Sequence, residues 1–505
     1  MEKPINHIAV IGGGTAGWLT ACIIAAHHQT AQGGVRVTLV ESSTIPAIGV
    51  GEGTWPTMKN TVQSIGISEA ELFRNCHAAF QQGVKFVEWV HGDGDFYYHP
   101  FTVPLGYIRL DLAPYVDDIA NFAVEANYQQ QVCEAGLAPR TLADGEYQGP
   151  CNYAYHVDAG ALGELLRAHG KERLGIDHVV DTVTDVRVAS TGDIASVLLE
   201  GAGDLAADLF VDCTGFSSRL LGGALDVPFV SADDVLFNDR ALALQVPYAE
   251  GDRGLACHTI ATAQNAGWIW DIGLTHRRGV GHVYASEFLS DAEAEQNLRT
   301  YLGPAAEGLE PRLIRFGSGY RERFWSGNCV AVGLSAGFVE PLEATAIMLV
   351  EIAARAIAEN LPPSAATLPI IAKRFNRQMH YRWSRIVDFL KLHYTLTQRP
   401  EPYWRAHADP GTVPESLQED LAVWRSRGPV RADFDSSVEL FPAASYQYVL
   451  YGMEFKPEFE RAAHLHRDAE KAVQIRRQND QLVAQMLRTL PPHREYIERW
   501  LSQIS

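Results

Sequence analysis

Long apolar runs are missing from this 505-residue chain. No stretch approaches the roughly 18 consecutive apolar residues that a bilayer crossing requires, so neither a spanning helix nor a membrane partner is expected. A signal peptide is not expected either, because Met1–Asn6 lead straight into a strand without an apolar core, and a cytoplasmic location follows. Cysteine is sparse and unpatterned: Cys22, Cys76, Cys133, Cys151, Cys213, Cys257 and Cys329 include no CxxC pair. That pattern predicts reduced thiols and neither a disulfide framework nor a metal site. A basic excess is also missing. Forty-two Lys and Arg face 61 Asp and Glu, a formal charge of −19, which argues against a nucleic-acid partner because phosphate binding needs a basic face. Internal repeats and low-complexity tracts are lacking, which excludes a solenoid. With 47% apolar and 20% charged residues, the chain has the composition of a large globular protein of one composite or two interlocked domains.

The first 41 residues carry the clearest pattern. His7–Ile11 is a short apolar strand, Gly12-Gly13-Gly14-Thr15-Ala16-Gly17 is a glycine turn, a helix runs from about Trp18 to His28, and Val35–Val40 forms a second strand that ends at Glu41. This strand–turn–helix–strand context makes GxGxxG informative. Gly12 permits the tight turn, Gly14 lets the amides of Thr15 and Ala16 approach a pyrophosphate, and Gly17 allows close helix–strand packing. Glu41 is placed to accept from ribose hydroxyls. The motif by itself does not separate FAD from NAD. Asp212-Cys213-Thr214-Gly215 and a late Gly-ended strand at Asn328–Leu334, just before a helix, favour FAD.

Elsewhere the pattern is coarser. Residues 85–150 read as loop-rich and aromatic, the runs at Val179–Val186 and Ala195–Glu200 as an antiparallel excursion, Pro341–Asn360 as a helix, and the last 130 residues as mostly helical. The expected fold is α/β, an FAD-binding, two-dinucleotide-type (Rossmann-like) fold with an inserted antiparallel sheet and a mostly helical C-terminal region. Residues 1–395 would form the core and 396–505 the helical region packed on it, with Pro400–Pro414 as the internal boundary.

Three segments carry a family resemblance. Gly267-Trp268-Ile269-Trp270-Asp271-Ile272-Gly273 is close to a WxWxIP signature, and its period of two puts Trp268 and Trp270 on one face of a strand. Phe80-Gln81-Gln82-Gly83-Val84-Lys85-Phe86-Val87-Glu88-Trp89 places a lysine in an aromatic setting, where burial would lower its pKa. Gly337–Ile347 contains Glu340-Pro341-Leu342-Glu343-Ala344-Thr345-Ala346, which reads as the first turn of a helix and an anion-binding terminus. Together with Gly49–Thr54, these segments resemble the flavin-dependent tryptophan halogenase family over roughly Ile8 to Met453.

The resemblance implies a flavin-dependent halogenase that installs bromide or chloride on an electron-rich, indole-like aromatic. FAD would arrive reduced from a separate flavin reductase, with oxygen and halide as co-substrates. Gly12, Gly14, Thr15, Ala16, Gly17, Glu41, Val50, Gly53, Leu334 and Ile347 would contact the cofactor, and Thr345 and Ala346 would hold the halide. Trp268, Trp270, His99 and Phe101 would shield the flavin and line the aromatic slot. Hypohalous acid would reach Lys85, with Glu343 as the partner carboxylate across the substrate. Residue by residue there are departures: Gly273 stands at the signature's proline, and Ala344 and Ala346 stand at a serine and a glycine. The family's clamps for the tryptophan carboxylate and amine cannot be placed on this chain. A homodimer is compatible with the sequence. The competing readings are an FAD-dependent aromatic monooxygenase (a hydroxylase) and a non-catalytic flavin-binding protein; halide dependence of the product separates the first, and oxygen use without an altered aromatic marks the second.

Overall fold

The computed structural model describes residues 4–44, 51–436 and 439–504. The chain divides into two compact units, each assembled from three segments: 1–78, 157–232 and 317–384 form the first, and 79–156, 233–316 and 385–505 the second. The units are therefore interleaved along the sequence, and position 396 falls inside the second of them.

The first unit is built on a six-stranded sheet in the order Trp325–Ser326, Cys329–Ala331, Leu209–Asp212, His7–Ile11, Arg36–Glu41, Asp177–Val180. All neighbours are parallel except the first pair. Ile8, Val10, Val37, Leu39, Val40, Leu209 and Val211 are all buried, as continuous apolar runs are when a parallel sheet is covered on both faces. The helix Thr15–His27 is buried from Gly17 to Ala25 and packs on the helices Ala159–Glu172 and Thr345–Asn360. The antiparallel excursion is a separate three-stranded sheet of Val183–Val188, Ile194–Leu199 and Gly203–Leu205. The helix expected from Pro341 starts at Thr345, leaving Pro341–Ala344 as a turn before it.

The second unit is built on a seven-stranded sheet in the order Arg312–Arg315, Arg240–Pro247, Arg277–Tyr284, Trp268–Gly273, Thr259–Ala263, Gly83–Val87, Phe96–Pro100. It is antiparallel except where Thr259–Ala263 meets Gly83–Val87. On one face Leu242, Leu244, Ile269 and Val280 receive Ala294, Leu298 and Leu302 of the helix Asp291–Leu302. That helix starts in a capping box of Ser290 and Glu293. The other face carries an aromatic core in which Phe86 stacks on Tyr97 and Trp89 contacts Trp268, Tyr394 and Trp404. Residues 85–150 hold two of the strands and the short helices Phe122–Ala126 and Gln129–Glu134 among irregular segments. After residue 400 the helices Pro402–Ala408, Glu415–Trp424, Ala443–Gly452, Ala469–Thr489 and His493–Gln503 bear out the helical C-terminal region. Among the described residues no helix is long and apolar enough to cross a membrane.

A buried carboxyl fastens the helix Thr345–Asn360 to the helix Met58–Ser64 in the first unit. Thr57 (3.2 Å) and Thr61 donate to Glu351, and Arg355 donates to Thr61 at 3.1 Å. Burial raises the Glu351 pKa from 4.5 to about 7, against the lowering effect of these hydrogen bonds. The folded chain thus keeps a proton that the unfolded chain releases, so stability is highest below the unfolded value and falls as pH rises through the folded one. Between about pH 5 and pH 8 this loss is on the order of 1 kcal/mol per pH unit at its steepest. Glu351→Gln is expected to flatten the decline of the melting temperature over that range. Parallel declines in variant and parent would show that Glu351 does not set the slope.

Candidate active site

The glycine turn is shaped by what it must approach. Gly12 has φ +118°, and a Cβ there would lie 2.2 Å from the carbonyl oxygen of Cys213. A Cβ on Gly17 would lie 1.8 Å from the Gly12 carbonyl oxygen, so the helix could not seat against the strand. A Cβ on Gly14 would meet nothing within 4 Å. Gly14 is also the residue before the helix Thr15–His27, so the open space lies where the helix's first amides point. Open space, free amides and the positive end of a helix fit a dinucleotide diphosphate.

Glu41 comes to the same turn, since a Cβ on Gly13 would fall 1.8 Å from its Oε2. Trp18 Nε1 (3.3 Å) donates to Glu41, and His178 Nε2 lies 2.7 Å from it. These two positioning residues were invisible in the sequence, because His178 comes from a strand 137 positions away. Asp212 anchors the other side. Its carboxylate accepts from Thr214 N and Oγ1, from Ser218 Oγ, and from the amides of Leu220 and Leu221. An acid at a strand end before Cys-Thr-Gly was the available signal. The late strand lies beside Leu209–Asp212, and Gly333 (φ +73°) lets Leu334 pass the turn, a Cβ there falling 2.8 Å from the Ala16 methyl. Gly53 closes the short strand Gly51–Gly53, in which burial raises the Glu52 carboxyl to about 7. Val50 lies outside the described residues.

Glu343 is 2% exposed and Glu340 fully buried, both ahead of the helix rather than in its first turn. Trp55 Nε1 donates to the Glu343 carbonyl at 2.8 Å, fixing the turn. Ala344, the N-cap, has φ +53° and no side-chain cap, a conformation that costs a non-glycine residue on the order of 1 kcal/mol. Thr345 and Ala346 follow as the first helical residues, with Thr345 and Ile347 buried, so their amides are those left without helical partners.

The remaining expected residues belong to the second unit. Trp270 pairs with Ala261 and Gly281, and Ala261 with Phe86, so these side chains share one face. Trp268 is buried against Trp89, and Gly281 is where the Trp270 ring lies, 2.2 Å from a built Cβ. Lys85 pairs with Ile260 and Tyr98, and Ile260 with Asp271, which puts it on the opposite face. Its Nζ lies 4.1 Å from the ring centroid of Phe96, which is 46% exposed, and 5.5 Å from that of Tyr98. The register therefore puts Lys85 and the tryptophan pair on opposite faces of the sheet. The fully buried polar residues of that segment are Gln81 and Gln82, which the sequence reading passed over. Gln81 donates to Thr259 Oγ1 at 3.2 Å, and Gln82 to the Leu137 carbonyl at 2.8 Å. His99 is on the tryptophan face between Phe389 and Tyr448, while Phe101, past the strand end, is half-buried and donates its amide to the Gln82 carbonyl.

A glycine turn, an acid at the second strand and a late strand and helix completing the same parallel sheet define a dinucleotide-binding α/β protein of the Rossmann-like type. The comparisons take this further. The tryptophan halogenase family model matches residues 7–468. A 7-chloro-L-tryptophan 6-halogenase, KtzR of Kutzneria sp. (strain 744), is 37% identical over 518 residues, covering 97% of this chain and 99% of its own. The crystal structure of a tryptophan halogenase from Shewanella frigidimarina NCIMB 400 superposes with a TM-score of 0.94 at 42% identity, covering 99% of this chain and 98% of that one. Tar14, a tryptophan C-6 flavin-dependent halogenase (chlorinase) from taromycin biosynthesis, superposes at 0.92 with 34% identity, covering 98% and 99%. This chain belongs to the tryptophan halogenase family, whose members are flavin-dependent enzymes that use a halide and oxygen.

Glu41→Ala tests the ribose assignment. Losing a hydrogen bond to a charged acceptor removes about 1.5–3 kcal/mol, so the Kd for FAD, read by fluorescence quenching, is expected to rise roughly 10- to 100-fold. An unchanged Kd would remove Glu41 from the cofactor site.

Proposed function

We propose that this enzyme chlorinates or brominates an electron-rich, indole-like aromatic using FAD reduced by a separate reductase. The observation that carries the proposal is the pairing, within one unit, of an open glycine turn at Gly14 with a buried Glu343 directly before the helix terminus at Thr345. The amides after Gly14 hold the diphosphate and Glu41 the ribose, while Gly53, Leu334 and Ile347 pack at the cofactor. Bound FAD, reduced and with oxygen, supplies the two-electron oxidant for the halide.

The chain's own groups do the rest. The Thr345 and Ala346 amides bind the halide by their dipoles, which survive the loss of a serine and a glycine there because backbone N–H groups are unaffected by side-chain identity. Glu343, held out of water, orients the electrophilic halogen donor or takes the proton from the halogenated ring cation. Lys85 is read as a packing residue: it is half-buried and its ammonium lies over Phe96 and Tyr98, as a lysine's does when its stem covers apolar surface.

Mass spectrometry of an aromatic panel, with reductase, FAD and chloride or bromide, tests the function; product that forms equally well without halide would make the enzyme a hydroxylase. Glu343→Gln should slow halogenation by about 10²-fold while flavin oxidation continues. Glu340→Gln should not share that specific loss, and the reverse pattern would exchange the two assignments. Lys85→Met should leave product yield near that of the parent; complete loss with flavin oxidation intact would make Lys85 the halogen-presenting group.

Free indole is expected to outcompete tryptophan. A zwitterion that leaves water without partners for its carboxylate and ammonium pays desolvation uncompensated, whereas a neutral indole loses little. Bromide, the easier halide to oxidise, should serve at least as well as chloride. Competition between indole and tryptophan with each halide decides this, and preference for tryptophan with chloride would mean that the enzyme has clamps for both charges.

A further inference from the structure

Two cysteines and a histidine that are scattered in the sequence meet in the interior of the second unit. Cys133 is on the short helix Gln129–Glu134, and Cys257 and His258 form the bend that leads into the strand Thr259–Ala263. Their ligating atoms all lie within 4.8 Å of one another, and all three residues are buried. A fourth group joins them. Tyr98, 1% exposed, sets its ring 5.4 Å from the His258 ring in an edge contact, and its hydroxyl has no hydrogen-bond partner among the described residues. Tyr98 packs with Cys133 and Cys257 in one buried cluster.

We propose that Cys133, Cys257, His258 and Tyr98 form a closed, tetrahedral structural site for a zinc-class divalent cation. The geometry is near what such an ion needs. Zn–S bonds of about 2.3 Å and Zn–N bonds of about 2.0 Å put tetrahedral S and N ligands roughly 3.5 Å apart. Cys257 Sγ and His258 Nδ1 are 3.9 Å apart, so a few tenths of an ångström of side-chain movement closes the pair.

The charge balance also suits a buried ion. Two thiolates neutralise a divalent cation, and neutral imidazole and phenol complete the shell, so no net charge is left in the core. Glu134 adds a negative charge nearby, and Lys85, 5.5 Å from the Tyr98 ring centroid, a positive one. The site is separate from the glycine turn and from Glu343, which belong to the other unit. Its role is to clamp the Gln129–Glu134 helix to the edge of the sheet.

The test uses the full-length protein, stripped with a chelator and kept reduced with a phosphine. Added Co²⁺ should give thiolate-to-cobalt charge transfer and tetrahedral d–d bands that saturate at a single equivalent, and Zn²⁺ should displace them. Cys133→Ser, Cys257→Ser and His258→Ala should each lose or weaken the charge-transfer band, and Cys76→Ser should keep it. Tyr98→Phe should keep the thiolate band but alter the d–d bands. Zn²⁺ should raise the melting temperature of the parent and not of Cys257→Ser. Should Cys257→Ser fail to fold, His258→Ala carries the same comparison. No thiolate-to-cobalt band in the reduced parent, or a band that survives in both cysteine variants, would overturn the site.

Discussion

The first unit depends on one steric constraint: three backbone segments and a carboxylate converge on a turn where side chains cannot be accommodated. The Cys213 carbonyl occupies the place of a Gly12 Cβ, the Gly12 carbonyl that of a Gly17 Cβ, and Glu41 that of a Gly13 Cβ. Because the strand His7–Ile11 lies between Leu209–Asp212 and Arg36–Glu41, the approaches of Cys213 and Glu41 come from its immediate neighbours in the sheet, and that of the Gly12 carbonyl from the turn itself. Removing the Cβ atoms therefore does two jobs. It lets the sheet close around the helix terminus, and it leaves open space at Gly14, ahead of the helix's first amides. An anionic cofactor then meets dipoles that are already oriented, so little reorganisation is needed on binding.

In the second unit the equivalent constraint is the two-residue period of a strand. The period alone put Trp268 and Trp270 on one face, and that was legible. It could not say which face of the neighbouring strands they share, because that depends on register, and the register between Thr259–Ala263 and Gly83–Val87 joins residues more than 170 positions apart. A slip of one residue would have brought Lys85 to the tryptophans. The observed pairing does not, and it leaves buried Gln81 and Gln82, donating to Thr259 and Leu137, as the polar core of that segment.

Local patterns were readable and non-local assemblies were not. The glycine turn, Glu41, the late strand and the helical C-terminal region follow from short-range rules of turn geometry and periodicity. The start of the helix at Thr345 rather than at Pro341 does not, because Ala344 takes a left-handed conformation that favours glycine and nothing in its residue type announces it. Division into interleaved units was equally hidden, since each unit is assembled from three segments far apart in the chain. The cysteines show the same limit. Spacing without CxxC argues against a metal site only when ligands come from one local segment, and Cys133 and Cys257 are brought together by the fold.

The charge of the protein makes the anion sites a matter of local fields. At −19 the net charge of the chain as a whole repels both a halide and a dinucleotide diphosphate. In the proposed reading, the partial charge at two helix termini, Gly14–Thr15 and Ala344–Thr345, would attract them, each at the end of a helix that is buried along much of its length. Burial matters because salt screens charges on exposed side chains over about 8 Å, while helix dipoles act at short range on a group bound at the terminus. The same reasoning explains why the loss of a serine hydroxyl at Ala344 is tolerable and the loss of the helix start would not be. In that reading the anion would be held by the backbone, and the side chains would only decide which backbone groups are left unpaired to hold it.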